Sequence, residues 1–388
     1  MCLVACGGIS KKSKEQISAP EIDSKANLGL ALTGVDLYYS SSDLYFYDYG
    51  SGLISGVLYG QSGDSAIWWL DHKLTLFNRT PTRHNYIRFE GRSADTLRPS
   101  REIGGPFAKG DPSDVIVLDN GHWLLSYFGM GKVSEIDPET GKELQDPEFV
   151  FDGPFHPSSM LKVKVDGVSY IFIANLGIEV DPVNYKTIAN GNQGLYLVRE
   201  EDSGLKVLNN GKPIATPLAS NPGFYHTSEA RPMLAGLCYA GTKNCTQAIE
   251  SLNVEKAING ATEEEVLAKM RLLDDADFSM NGRICDGFDP NTIYANVVFN
   301  KDRAPFVKGG KYLIRINASE QLDPGLVHHY AHPDSSGSYL LLPDKSIDTL
   351  YFGDIGADRK ASLNIFRNGH TKAIPMQRIP YYGALIQK

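Results

Sequence analysis

Residues able to do chemistry gather at a few places in the chain. The run Phe224-Tyr225-His226-Thr227-Ser228-Glu229-Ala230-Arg231-Pro232 places a base, a carboxylate and a cation in one short stretch. If it faces a cavity, His226 can take a proton and Arg231 can hold an anion, with Glu229 between them. The plainer alternative is a polar loop whose side chains cap backbone groups. His328, His329 and His332 form a second cluster. On a strand, neighbouring side chains point to opposite faces, so His328 and His329 cannot serve one metal there. No carboxylate is spaced to complete such a set, so no metal centre is expected from it.

Asp275, Asp277, Ser279, Asn281 and Asp286 have the spacing of a calcium loop. Met280 stands where an EF-hand requires glycine, which excludes that motif. A looser Ca²⁺ site on Asp275, Asp277 and Asp286 is the remaining cofactor expectation, beside a solvated polar loop that binds nothing. The cysteines Cys238, Cys245 and Cys285 bracket the same region. In an oxidising compartment two of them should pair. Cys238–Cys245 closes the shortest loop, and Cys245–Cys285 would pin the base of the region instead. In a reducing compartment all three stay thiols.

The elements that must position these residues are short and β-rich. From Asp111 to Gly141 the chain reads as three apolar strands, with turns at Asn120-Gly121 and Asp137-Pro138. A dipeptide of Asp, His or Asn followed by Pro recurs as Asp111-Pro112, His156-Pro157, Asn221-Pro222, Asp289-Pro290 and His332-Pro333. The shortest steps between these prolines are about 45 residues, the length of a four-stranded propeller blade. The expected fold is therefore all-β: a β-propeller of about six to seven four-stranded blades, seven preferred, spanning residues 28–388. The strand Ile379 to Ile386 is expected to pair with the N-terminal strands and close the ring, removing exposed sheet edges.

Two departures from the repeat are expected. Glu179 to Asn192 reads as a loop excursion. Thr246 to Ile258 and Thr262 to Leu273 read as a helical hairpin inserted at about 246–284, with Thr262 and Glu265 as a capping box. Gly56–Tyr59, Ala66–Leu70, Leu74–Phe77 and Tyr86–Phe89 read as the first full blade, and Glu148–Phe151 as the outer strand of the next.

The net charge of −8 argues against a nucleic-acid partner. No apolar run approaches the roughly 20 residues of a membrane-spanning helix. At the N-terminus, Leu3-Val4-Ala5-Cys6 resembles the lipobox of bacterial lipoproteins, and residues 1–27 resemble the flexible tether behind it. The resemblance implies lipidation of Cys6, a signal peptide, and an outer-membrane place in the envelope. Few residues precede Cys6, against the roughly 7–15 apolar residues of a signal peptide core, and a cytoplasmic protein is the alternative.

The breaks Phe172-Ile173-Ala174-Asn175 and Ile293-Tyr294-Ala295-Asn296 resemble the YVTN repeat of lactonase-like β-propellers. Folds of this kind host enzymes and binding modules alike. Two functions follow as expectations. One is an envelope-anchored binding or scaffold protein, a monomer that recognises a protein or carbohydrate. The other is a lactonase-like hydrolase with a site in the channel. Acidic, Asn or His side chains converging at one level of the channel would favour the enzyme.

Overall fold

The computed structural model describes residues 28–79, 85–104, 112–127, 131–144, 151, 155–180, 187–215, 221–226, 232–237, 248–260, 266–272, 278–289, 291–317, 324–332 and 340–387. Seven antiparallel sheets follow one another. Blade 1 is Ile379–Ile386, Gly29–Val35, Ser41–Asp48 and Ile54–Ser62; blade 2 is Ala66–Leu70, Lys73–Asn78, Asn85–Glu90 and Arg98–Gly104. Blade 3 is Pro112–Val117, Trp123–Tyr127, Lys132–Ile136 and Glu143–Leu144. Blade 4 is Pro157–Val165, Val168–Val180, Thr187–Glu201 and Gly204–Val207, with Ile214–Ala215 also on its third strand. Blade 5 is Asn221–His226, Pro232–Leu237, Ala248–Leu252 and Leu267–Leu272. Blade 6 is Phe278–Asp286, Thr292–Phe299, Lys311–Asn317 and Gly325–Tyr330, and blade 7 is Leu341–Asp344, Thr349–Ile355, Ala361–Arg367 and His370–Met376.

The first strands of neighbouring blades touch, and blade 7 meets blade 1 through Ile379–Ile386. The expected closure is there: Leu30 pairs with Leu385 and Leu32 with Gly383. Apolar faces meet between blades. Leu44, Phe46 and Ile386 of blade 1 pack on Leu74, Leu76 and Phe89 of blade 2. Phe77 and Tyr86 pack on Trp123 and Tyr127, and Leu124 on Ile171 and Tyr196. Each fully buried large side chain contributes about 1.5–3 kcal/mol, so the repeat stabilises itself by stacking rather than through one central core.

Several expectations change. The helical hairpin is not formed. Ala248–Leu252 and Leu267–Leu272 are paired outer strands of blade 5, joined through a one-turn α-helix, Val254–Ile258, capped by Asn253. Helix-forming residues are abundant here, but Leu252, Val254, Ala257, Val266 and Leu267 bury against Phe172 and Leu197 of blade 4. Tertiary pairing overrides local propensity. Thr262 and Glu265 lie outside the described residues.

The excursion at 179–192 is largely a continued hairpin, with Val180 paired to Thr187. The strand around Gly56–Tyr59 belongs to the closing blade, not to the next one. Asp289 starts no blade; it makes the turn between the first two strands of blade 6, accepting from Asn291 N and Thr292 Oγ1. Most of Glu148–Phe151 lies outside the described residues, and the fourth strand of blade 3 is Glu143–Leu144.

Candidate active site at the channel mouth

The polar breaks of the repeat acquire a physical role. In six blades the second strand carries a buried polar residue after an apolar run: Thr33, Asn78, Ser126, Asn175, Asn296 and Asp354. Most of them hydrogen-bond to a neighbouring strand or connection. Thr33 Oγ1 donates to Ser65 O at 3.1 Å, His156 N donates to Asn175 Oδ1 at 2.7 Å, and Tyr330 Oη donates to Asn296 Oδ1 at 2.8 Å. Asp354 Oδ1 accepts from Ile355 N at 2.7 Å, while Oδ2 lies 2.8 Å from His328 Nε2. Buried polar groups require such partners, so Asn and Asp at these breaks are structural.

Opposite this ring the innermost strands slip register. The slips fall between Pro112 and Asp114, Pro157 and Ser159, and Met280 and Ile284; in blade 1 Tyr381 is the extra residue between Pro380 and Tyr382. A bulge bends its strand and re-aims side chains. Arg283 and Tyr381 are both displaced in this way. Blade 7 lies between their blades in the ring, yet the Arg283 guanidinium sits 4.2 Å from the Tyr382 ring centroid and 5.2 Å from that of Tyr381. The contact bridges two blades that are not neighbours. A cation over an aromatic face contributes about 0.5–2 kcal/mol.

A second arginine approaches from blade 2. Arg79 Nη1 donates to Tyr382 Oη at 2.7 Å, and Arg79 Nη2 lies 3.7 Å from Asp64 Oδ2. Asp64 Oδ1 is buried without a hydrogen-bond partner among the described residues. Tyr381 packs edge-on against Tyr382 at 4.7 Å, and burial pushes its hydroxyl well above the ordinary range, with Tyr382 and Asp64 adding to the shift. Two guanidiniums, two phenols and one carboxylate thus share one wall of the channel mouth. The set carries one net positive charge. It can hold an anion, donate to a carbonyl oxygen and accept a proton from water.

Asp114, on the innermost strand of blade 3, completes this level. It accepts from Met160 N at 2.7 Å and from Val115 N at 2.8 Å. Burial outweighs both bonds and raises its carboxyl to about 6.

Of the residues singled out in sequence, only some are described. His226 ends the innermost strand of blade 5, paired with Pro232 at the strand end away from the polar ring. Glu229 and Arg231 lie outside the described residues, as do Asp275, Asp277, Cys238, Cys245 and Cys6. Asp286 accepts from Lys345 Nζ at 2.8 Å. Cys285 is a buried free thiol beside Tyr294 and Leu313. His328 faces Phe352 and Asp354, while His329 stacks on Tyr312 at 4.8 Å, the opposite-face arrangement expected of a strand. Among the described residues, no three His, Cys, Asp or Glu side chains gather as for a metal ion. Sequence reasoning missed Arg79, Asp64, Arg283, Tyr381 and Tyr382. They share no sequence signal: Asp64 lies between blades 1 and 2, Arg79 follows the second strand of blade 2, and Arg283, Tyr381 and Tyr382 lie on innermost strands.

No family model matches the chain, and no curated protein matches it in sequence. Solved structures do match. The periplasmic gluconolactonase of Pseudomonas aeruginosa aligns with a TM-score of 0.56 at 10% identity, covering 91% of this chain and 96% of that one. A proposed 6-phosphogluconolactonase from Bacteroides uniformis aligns with a TM-score of 0.54 at 11% identity, covering 91% and 96%. A second, from Bacteroides fragilis, aligns with a TM-score of 0.51 at 12% identity, covering 94% and 99%. The chain has the fold of the lactonase-like β-propellers.

Proposed function

We propose that the chain is a lactonase-like hydrolase whose site is the Arg283–Tyr381–Tyr382–Arg79–Asp64 wall of the channel mouth. The observation that carries this reading is the reach of Arg283 from blade 6 to the tyrosines of blade 1, beside an Asp64 oxygen left without a partner among the described residues. Similarity in fold to a gluconolactonase supports it. In the reaction, water adds to the carbonyl carbon of a cyclic ester. Asp64 takes the water's proton, and Tyr382 Oη, which already accepts from Arg79, donates its own proton toward the developing oxyanion. The ring C–O bond then breaks, and the proton on Asp64 passes to the leaving alkoxide. Arg283 holds the phosphate of a phosphorylated lactone or the carboxylate that hydrolysis releases.

The test is hydrolysis of glucono-δ-lactone and its 6-phosphate, measured above the spontaneous rate. Asp64→Asn should lower kcat about 100-fold or more, while Arg283→Ala should act mainly on KM. No acceleration with either lactone, or an Asp64→Asn variant at full rate, would end this reading. Recognition without turnover is the second reading, favoured by the exposed tyrosines at the rim; ligand binding with no product formed would select it. Envelope attachment through Cys6 remains a separate proposal, tested by palmitate labelling of the full-length gene product.

A further inference from the structure

The turn that joins Gly29–Val35 to Ser41–Asp48 presents Leu37, Tyr38 and Tyr39 to solvent, and Tyr38 is 89% exposed. Exposed tyrosines on a slack loop would carry little meaning, but this turn is heavily braced. Asp36 accepts from Tyr38 N, Ser40 N, Ser40 Oγ, Ser41 N and Ser41 Oγ, at 2.6–3.0 Å. Burial works to raise the Asp36 carboxyl, and these hydrogen bonds overcome it, holding it far below the carboxylate range. Arg378, beside the closing strand, donates to Ser41 O at 3.2 Å and to Asp43 Oδ2 at 2.6 Å.

The bracing holds a strained residue. Tyr39 has φ of 53°, a left-handed conformation that a bulky side chain rarely adopts. Strain of this sort persists where surrounding structure over-determines it, and it collects at ligand clamps. Gly63 makes room for the turn: a Cβ there would stand 1.6 Å from Tyr39 O. The strained ring is also aimed. Tyr39 meets Tyr381 edge-on at 5.3 Å, so the rim tyrosines continue directly into the wall that holds Arg283.

We propose that this turn is a saccharide subsite: Tyr38 and Tyr39 stack the ring face of a hexose unit attached to the acid head group bound in the channel. The inference rests on the hydrolase reading of the channel and names its substrate class, an aldonic acid or lactone carrying at least one further sugar. Exposed phenols beside the channel mouth suit a ligand that is apolar on one face and stays hydrated on the other. A sugar ring has that character, whereas a fully apolar ligand would call for a closed slot.

The test compares three probes by titration calorimetry: gluconate, cellobionate and neutral cellobiose. For the unaltered protein cellobionate should bind about 5-fold tighter than gluconate, the gain of one stacked ring. In Tyr38→Ala that ratio should fall to about 1, and Tyr38→Trp should restore it. Tyr38 is exposed enough that the fold tolerates either change. Equal binding of the two acids, or a ratio that Tyr38→Ala leaves alone, overturns the subsite. If gluconate fails to bind but cellobiose binds in a Tyr38-dependent way, the subsite stands and the acid-binding part of the hydrolase reading falls. If no probe binds, the subsite is overturned.

Discussion

Asp114→Asn should flatten the pH dependence of stability between about pH 4 and 6. The carboxyl of Asp114 is raised from 3.8 to about 6 because burial disfavours its charge more than the Met160 and Val115 amides favour it. Below 3.8 the group is protonated in both the folded and unfolded states and has no effect. As pH rises from 3.8 toward 6 the unfolded chain gives up its proton first, so unfolding gains ground. Above 6 both states are ionised and the loss is complete. Two pH units correspond to about 3 kcal/mol; because the residue keeps some solvent contact, screening trims this to about 1–2 kcal/mol. Asn keeps one of the two amide bonds and loses the other, at about 1 kcal/mol. The variant should therefore be less stable than the parent at pH 4 and about equal at pH 7. Thermal melts from pH 3.5 to 7.5 measure this, with about 1–2 °C expected per kcal/mol for a chain of this length. Parallel curves for the two proteins would refute the reasoning, since Asp114 would then have the same affinity for protons folded and unfolded.

Two further predictions test the packing. Gly63→Ala drives a methyl group into the Tyr39 carbonyl, so melting should fall by the equivalent of about 1–3 kcal/mol and cellobionate affinity should drop with it; an unchanged Tm with unchanged binding would mean that the turn is not held where it stands. Arg88 lies over Trp123 at 5.3 Å and pairs with Glu139 at 2.6 Å, with its side chain 3% exposed. Arg88→Ala should cost about 2 kcal/mol through lost packing, while Arg88→Met, which keeps the volume and frees an exposed Glu139, should stay within about 1 kcal/mol. Equal losses in both, read from denaturant midpoints, would show that charge rather than packing is what Arg88 supplies.

The repeat was legible because a blade imposes a local pattern. Asn175, Asn296 and Asp354 each follow an apolar run within a second strand, so that polar break marks the same place in every blade that carries it. Closure by Ile379–Ile386 was legible for a related reason: a strand left over at one end of the chain needs a partner at the other. The failures share a cause. Leu267–Leu272 contains Lys, Met, Arg and Leu, all good helix formers, and only the adjacent strand Ala248–Leu252 makes it a strand. The site was invisible for a stronger reason. Arg283 reaches Tyr382 because a bulge turns it out of register, and a bulge leaves no periodic trace in sequence. His226, Glu229 and Arg231 stand out in the sequence because they are close along the chain. The wall of the mouth is built from residues close only in space, from 64 to 382.

That wall sits at the seam where the ring closes, and this ties the site to folding. Tyr39 comes from the N-terminal side of blade 1, and Tyr381 and Tyr382 from its C-terminal strand. The site can exist only while the two chain ends are paired. Ile386→Ala tests the link. Ile386 is fully buried among Leu44, Phe46 and Leu74 at the far end of the closing strand from the tyrosines. Truncation there should cost about 2–5 kcal/mol without touching any group in the mouth. Because the seam is one antiparallel pair, the loss should appear first as local opening. Amide exchange along Gly29–Val35 should accelerate more than exchange in blade 3, and ligand affinity should fall in step with the closed fraction. If the exchange rates of the two blades rise together, the ring opens as one unit. Closure would then be a property of the whole propeller, not a weak point on which the site depends.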